Sequence, residues 1–205
     1  MDSKQLSFWI IVPVLLIGSL LLARYNTLDI VSKDDYQEFG FDERPFPKRL
    51  ENFSLLNHDG EKVNSSSLIG RRTLIFFGFT YCPDVCPTTL SILNMALAKL
   101  KNPPRVILVS VDPERDSVPL LKKYVKRFNP DFEAYTGEID EISNFANQLE
   151  AGFRKVPGDG EDNWTVDHTS NLVVINAQGE FQGLIRPPLQ VESISTLLEI
   201  MEREA

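Results

Sequence analysis

The chain has 205 residues, of which 42% are hydrophobic, with two cysteines, two histidines and a net charge of -8. This length is enough for one well-buried domain with additional segments. The acidic balance argues against a nucleic-acid partner, because phosphate binding requires a basic protein face.

The first distinctive segment is an uncharged run over residues 8–23. A membrane-spanning helix needs about 20 apolar residues, with a lower limit near 17. Trp9 and Tyr25 lie near the two ends of the run, as interfacial aromatic residues do. We therefore predict an uncleaved transmembrane signal anchor over residues 1–24, with a cleaved signal peptide as the alternative.

The residues on either side of this run suggest its orientation. Lys4 and the α-amino group precede it and Arg24 follows it, so the positive-inside bias is slight. The acidic segment that follows favours a cytoplasmic N-terminus and an exported globular part. Residues 25–48 are polar, contain two prolines and lack an apolar period, so we predict a linker there and a single domain over residues 49–205.

Apolar patterns typical of strands and helices alternate along the domain. The predicted strands cover residues 73–79, 105–111, 132–135, 171–176 and 180–185, and the predicted helices cover 88–101, 117–128, 139–153 and 191–204. Strands separated by helices indicate βαβ units, and the last two strands are predicted to form a hairpin. The sum is an α/β fold of thioredoxin type, with a mixed sheet flanked by helices.

The only two cysteines lie in the turn between the first strand and the first helix, in the segment Cys82-Pro-Asp-Val-Cys86-Pro87. Proline is favoured at the first helical position, so Pro87 is predicted to begin the helix and Cys86 to be its N-cap. Helix N-termini lower thiol pKa values, which predicts a thiolate at Cys86.

A paired-thiol turn of this kind suits redox or soft-metal chemistry. The alternatives are two chemically inert cysteines, or a structural disulfide, which would stabilise little over so short a loop. A structural zinc site needs four ligands, and the cysteines and histidines of this chain do not form such a set.

A second candidate, His168, lies just before the strand predicted at residues 171–176. In a thioredoxin-type sheet this position and the first strand–helix turn meet at one end, which predicts that His168 lies near Cys82 and Cys86. The preceding residues 156–164 are polar and glycine-rich and are predicted to form a loop that can move. The alternative is an ordinary surface or capping histidine.

The segment Gly78-Phe-Thr-Tyr-Cys-Pro-Asp-Val-Cys-Pro87 resembles the signature of the Sco/SenC family, which are membrane-anchored copper proteins of cytochrome c oxidase assembly. Residues 110–116 (Ser-Val-Asp-Pro-Glu-Arg-Asp) and 166–169 (Val-Asp-His-Thr) agree with that family in order and spacing. The resemblance runs from about Phe53 to the C-terminus. It implies that Cys82, Cys86 and His168 are copper ligands.

The ligand chemistry agrees with this implication. Two thiolates and one imidazole favour copper, and soft thiolates suit Cu(I) especially. Three protein ligands leave the ion open to an incoming ligand, which suits transfer of either Cu(I) or Cu(II). Some catalytic zinc sites have the same ligand set, but zinc enzymes also need a catalytic base nearby. Asp84, between the cysteines, is the candidate base, but we assign it to the turn, so zinc ranks below copper.

The resemblance implies a copper metallochaperone in the bacterial periplasm, held by a single-pass anchor in the inner membrane. It would receive copper from an upstream donor protein and deliver it to the binuclear copper centre of cytochrome c oxidase subunit II or a related copper oxidase subunit. The alternative is a thiol–disulfide oxidoreductase that reduces an apo-partner through Cys82 and Cys86. Thioredoxin-like reductants typically use CxxC, one residue shorter than this loop. A peroxiredoxin-like peroxidase is a third possibility, for which no activating arginine is placed.

Other residues near the cysteines have two possible roles each. Asp116 or Ser117 is predicted to cap the following helix, and the alternative for the charged residues of 110–116 is a docking edge near the copper site. Phe79 and Tyr81 are predicted to shield the site from water, with core packing as the alternative for Phe79.

Overall fold

A computed structural model describes residues 33–158 and 163–203, together with Ile17 and Ser19. Between residues 33 and 203 the chain is built around a sheet of eight strands. Its strands are β1 (Phe41–Arg49), β2 (Leu55–Asn57), β3 (Lys62–Val63), β4 (Thr73–Gly78), β5 (Arg105–Ser110), β6 (Glu133–Thr136), β9 (Leu172–Ile175) and β10 (Glu180–Ile185). A separate hairpin consists of β7 (Phe153–Pro157) and β8 (Trp164–His168). The helices are α1 (Lys33–Glu38), α2 (Val85–Leu97), α3 (Val118–Val125), α4 (Ile139–Gln148) and α5 (Val191–Arg203), with a 3-10 turn at Ser65–Leu68.

The order of strands in the main sheet is β1-β10-β9-β4-β5-β6-β2-β3. Strands β4, β5 and β6 run parallel to one another, and the other pairings are antiparallel. Every residue of β4 is buried, as a continuous apolar strand in the middle of a sheet should be. The carboxyl end of β4 therefore opens into the loop that carries the cysteines, at the centre of the fold.

The predicted mixed sheet with flanking helices is confirmed, and every strand and helix predicted between residues 73 and 204 has a counterpart. Helices α2 and α5 pack against each other. Aromatic and aliphatic side chains fill the core; among the fully buried ones are Phe76, Phe77, Leu90 and Phe145. The fold thus positions one strand–loop–helix unit, β4 to α2, on a rigid apolar base.

The linker predicted over residues 25–48 is wrong for its described part, residues 33–48. Residues 33–38 are helical, and β1 pairs with β10 at the edge of the main sheet. The register of this pair shifts between Glu43 and Lys48, and Pro45 and Pro47 lie within the shifted stretch. Proline is tolerated at bulges and on edge strands, which explains why this polar, proline-containing segment still joins the sheet.

The second helix begins two residues earlier than predicted. Its first residue is Val85 and its N-cap is Asp84, whose carbonyl oxygen accepts the Thr88 N–H at 3.1 Å. Pro87 is the third helical residue, where a missing N–H costs nothing because the first four N–H groups have no intrahelical partner. Cys86 consequently lies inside the first turn rather than at the N-cap.

The loop predicted at residues 156–164 is shorter at both ends than predicted, because residues 156, 157 and 164 belong to the strands of a β-hairpin, and residues 159–162 lie outside the described part of the chain. Helix α4 ends at Gln148, earlier than predicted, and β7 pairs antiparallel with β8. His168 is the last residue of β8 and lies opposite Phe153. The histidine is therefore carried by a strand.

Within residues 33–158 and 163–203 no helix has the length and apolarity needed to cross a membrane. The predicted anchor at residues 8–23 lies outside the described residues, apart from Ile17 and Ser19.

Candidate metal centre

Three potential metal ligands meet at the carboxyl end of β4. The sulfurs of Cys82 and Cys86 and a ring nitrogen of His168 all lie within 4.8 Å of one another. Cys82 belongs to the loop after β4, Cys86 to the first turn of α2, and His168 to the end of β8. The structure thus brings together the residues that the sequence predicted to be neighbours, from positions more than 80 residues apart.

The sulfur of Cys86 is fully buried, and Gly78 makes room for it. A Cβ atom on Gly78 would lie 2.9 Å from the Cys86 Sγ and 2.9 Å from Cε1 of Phe76, closer than real Cβ contacts come. The absence of a side chain at the last position of β4 therefore allows the helix to bring Cys86 onto the strand end. This role of Gly78 was not predicted, although the glycine directly before the cysteine loop was a visible signal.

The two thiols have different surroundings. Cys82 is half-buried, and its sulfur accepts the backbone N–H of Cys86 at 3.4 Å. Burial, followed by the hydrogen bond with Cys82, raises the pKa of the Cys86 thiol. The thiolate predicted at Cys86 is therefore wrong for the metal-free protein, because loss of hydration outweighs the helix end and the N–H of the first turn is directed at Cys82.

The imidazole of His168 is oriented for ligation. Its Nε2 lies 3.7 Å from the Cys86 Sγ, and its Nδ1 lies 3.1 Å from the carbonyl oxygen of Thr169. A proton on Nδ1 donates to that carbonyl, which leaves the lone pair of Nε2 facing the thiols. The rings of Phe76 and Phe79 meet the imidazole edge-on, with centroids 5.8 and 5.9 Å away. These contacts restrict the rotation of the ring.

The two aromatic residues predicted as shields differ. Phe79 is buried and packs on His168, so it belongs both to the core and to the wall of the site. Tyr81 is 59% exposed, and its role as a shield stays a prediction. Asp84 is also exposed and accepts the Thr88 hydroxyl at 3.4 Å, which agrees with its predicted place in the turn.

The loop between β5 and α3 is hydrogen-bonded to the loop that carries the cysteines. The buried carboxylate of Asp116 accepts the Thr80 N–H at 3.0 Å, the Thr80 hydroxyl at 2.5 Å and the Ser110 hydroxyl at 2.7 Å. Burial raises the pKa of Asp116, and these hydrogen bonds oppose that effect. Ser117, one of the two residues predicted to cap α3, occupies its N-cap position, without a side-chain hydrogen bond. The Asp116 carboxylate instead fixes Thr80, two residues before Cys82.

The sequence profile of the SCO1/SenC family matches residues 42–202. The chain belongs to this family. It is 35% identical over 134 residues to an SCO2-like protein of Rickettsia felis, an alignment that covers 63% of this chain and 65% of the relative. The matched region thus spans just under two thirds of that relative's length.

Two solved structures of family members are similar to this fold. Copper-bound ScoI of Arabidopsis thaliana has a TM-score of 0.71 and 30% identity, and the match covers 76% of this chain and 98% of that one. BsSco, a member of the Sco family of cytochrome c oxidase assembly proteins with an identified disulfide switch, has a TM-score of 0.55 and 27% identity, covering 75% and 96%. These likenesses support a thioredoxin-like Sco fold for this chain.

Proposed function

We propose that this protein is a copper metallochaperone that holds the ion through Cys82, Cys86 and His168. The observation that carries the proposal is the approach of two sulfurs and one imidazole nitrogen to within 4.8 Å at one end of the sheet. This donor set matches the preference of copper for thiolate and imidazole ligands. The copper-bound Arabidopsis member of the same family supports the choice of metal.

The burial of the ligands suggests how the cargo moves. Cys82 and His168 are half-buried, whereas Cys86 is fully buried, so a partner's ligands reach the ion from the side of the first two. Three protein ligands leave the ion open to a fourth, which allows exchange without prior release into water. Since burial raises the pKa of Cys86, loading the ion must displace a proton from this thiol.

We further propose that copper comes from an upstream donor protein and goes to the binuclear copper centre of cytochrome c oxidase subunit II or a related copper oxidase subunit. Family membership and the relative BsSco, a member of the cytochrome c oxidase assembly proteins, support this destination. It requires an exported domain, for which the uncharged run at residues 8–23 supplies a single-pass inner-membrane anchor.

The location can be tested directly. A reporter fused after residue 205 and active only in the periplasm should be active in cells. Recovery of the chain in the soluble fraction, with a new N-terminus near Tyr25, would show a cleaved signal peptide instead.

A second candidate function is thiol–disulfide exchange, favoured by the half-buried Cys82 whose sulfur accepts an N–H of the helix end. The Cys82 thiolate would attack a partner disulfide and form a mixed disulfide. The Cys86 thiolate would then attack the Cys82 sulfur and release the partner's sulfur. This leaves a Cys82–Cys86 disulfide and two partner thiols, so that two electrons pass to the partner. The disulfide switch of BsSco supports this candidate.

Two variants separate the candidates. A chaperone must hold the ion, so His168→Ala should impair oxidase assembly about as severely as loss of either cysteine, whereas exchange needs no imidazole. Deletion of Val85 converts the loop to CxxC, which should preserve exchange and misplace the two copper thiolates. If both variants leave oxidase assembly intact in cells, the chaperone proposal is wrong and the exchange candidate replaces it.

A further inference from the structure

Arg115 joins the cysteine loop to the hairpin that carries His168. Its guanidinium lies over the ring of Tyr81, 4.8 Å from the centroid, and over the ring of Trp164, 4.3 Å from the centroid. Tyr81 directly precedes Cys82, and Trp164 is the first residue of β8. Cations at such distances are attracted to aromatic faces, so this one side chain draws two separate segments toward each other.

The guanidinium is itself held in place. Its Nε donates to the buried carboxylate of Asp112 at 2.5 Å, and a second nitrogen pairs with the same oxygen. A third nitrogen donates to the carbonyl oxygen of Trp164 at 3.1 Å, and the indole N–H of Trp164 donates to Asp112 at 3.4 Å. The docking edge considered for these charged residues is therefore an internal contact, which fixes the start of β8 to the end of β5.

Trp164 and His168 share one face of β8. Residues 164, 166 and 168 point inward and the two between them are exposed, as alternation along a strand requires. On the neighbouring strand the Lys155 ammonium lies 3.7 Å from a ring centroid of Trp164 and is paired with Glu114 at 2.8 Å. The position of Trp164 against Arg115 thus sets the position of the same-face imidazole four residues later.

We propose that Arg115 is a positioning residue of the metal site, which holds the β7–β8 hairpin against the cysteine loop through Trp164 and Tyr81 and keeps His168 within reach of the thiols. This role rests on the copper site proposed above. Arg115 lies beyond the three ligands and acts only through the segments that carry them. Its loss should therefore reduce the contribution of His168 and spare that of Cys82 and Cys86.

The test compares the affinities of the purified protein for Cu(II) and Cu(I), measured by competition with chelators. Arg115→Ala and Trp164→Ala should weaken Cu(II) binding by about tenfold, as loss of groups that orient a ligand does. Cu(I) binding should be unchanged, because two thiolates hold Cu(I) without the imidazole. Charge alone predicts the opposite for Arg115→Ala, since removing a positive charge favours a bound cation.

Three controls make the result specific. Arg154→Ala removes an arginine from the same hairpin whose partner, Asp167, is exposed, and it should not change Cu(II) affinity. Trp164→Ala retains the Arg115–Asp112 pair, so it tests the contact even if Arg115→Ala fails to fold. In the His168→Ala background, Arg115→Ala should cause no further loss of Cu(II) affinity, because the two changes act through one ligand.

A metal-free readout completes the experiment. In the metal-free protein, the NMR chemical shifts of the two imidazole nitrogens of His168 should report a single tautomer with the proton on Nδ1. In Trp164→Ala these shifts should move to values averaged over the two tautomers. Wild-type Cu(II) affinity in both Arg115→Ala and Trp164→Ala, or a loss that persists in the His168→Ala background, would overturn the positioning role. If His168→Ala itself does not weaken Cu(II) binding, His168 is not a copper ligand, and the positioning role of Arg115 fails with the proposed site.

Discussion

The close approach of Gly78 to Cys86 predicts the effect of adding one methyl group. In Gly78→Ala the new Cβ would lie 2.9 Å from the Cys86 sulfur, 2.9 Å from Phe76 and 3.2 Å from Leu108. Phe76, Leu108 and Cys86 are all completely buried. The strain must therefore be relieved by movement within this packed group, which includes the Cys86 sulfur in the first turn of α2. Overpacking of this kind costs about 1–3 kcal/mol in unfolding free energy.

Two measurements quantify this change. The midpoint of urea unfolding should fall on the order of 1 M, given a typical dependence of about 1–3 kcal/mol per molar urea. Cu(II) and Cu(I) affinities should both fall by about tenfold, because the displaced group is a thiol that both oxidation states use. This pattern differs from that of the hairpin variants, which affect Cu(II) alone.

Gly152→Ala is the matched control. A Cβ at Gly152 would meet no atom within 4 Å, and its backbone does not adopt the conformation that favours glycine. This substitution should leave copper affinity unchanged and raise stability by about 0.4–1 kcal/mol, since alanine restricts the unfolded chain. If Gly78→Ala unfolds and binds copper as Gly152→Ala does, the reasoning about the strand end is refuted.

Three further predictions concern protons and the imidazole. Burial raises the pKa of Asp116 in the folded protein, so the protonated carboxyl stabilises the fold below its ordinary pKa of about 3.9, and this stabilisation is lost as the pH rises through the folded-state pKa. Asp116→Asn should therefore flatten this part of the profile of urea stability against pH. An unchanged profile would contradict the raised pKa. Copper loading should release a proton from Cys86, so affinity should rise with pH; calorimetry in buffers of different ionisation enthalpy should detect the release, and its absence would contradict the buried thiol. His168→Ala should weaken Cu(II) more than Cu(I) in chelator competition, and equal losses would exclude the imidazole as a selective ligand.

Strands β4, β5, β6, β9 and β10 of the main sheet were predictable because they follow apolar patterns separated by helices of clear period. Strands β2 and β3, of three and two residues, were not predicted. All residues of β4 are buried, as its continuous apolar sequence predicts. Strand β1 was missed because only its first residue is buried and it contains two prolines, which normally argue against a strand. Its pairing with β10 depends on a register shift that no local pattern reveals.

The hairpin that carries His168 was missed for a related reason. Its two strands have five residues each, and β7 has no buried residue that would produce the alternating apolar pattern of a strand. Strand β8 did contain a signal, since Trp164, Val166 and His168 alternate with polar residues. That alternation over five residues was outweighed by the neighbouring glycines and acidic residues.

The convergence of Cys82, Cys86 and His168 was predictable from the sequence, but the surroundings of these residues were not. Topology alone brings the first strand–helix turn and the residues before β9 to one end of the sheet. The space left by Gly78, the cation held between Tyr81 and Trp164, and the anchoring of Thr80 by Asp116 are tertiary contacts between distant segments. Burial at Cys86 reversed the pKa direction expected from the helix end, because hydration depends on the packed fold rather than on local sequence.

The most direct test of the central claim is a copper titration of the purified 205-residue protein with metal analysis and absorption spectra. The proposed site predicts one copper per chain and intense sulfur-to-Cu(II) charge-transfer absorption. Either Cys82→Ser or Cys86→Ser should abolish that absorption, and the double variant should lose the bound copper. Equal retention of copper by the double cysteine variant would contradict the assignment of this site.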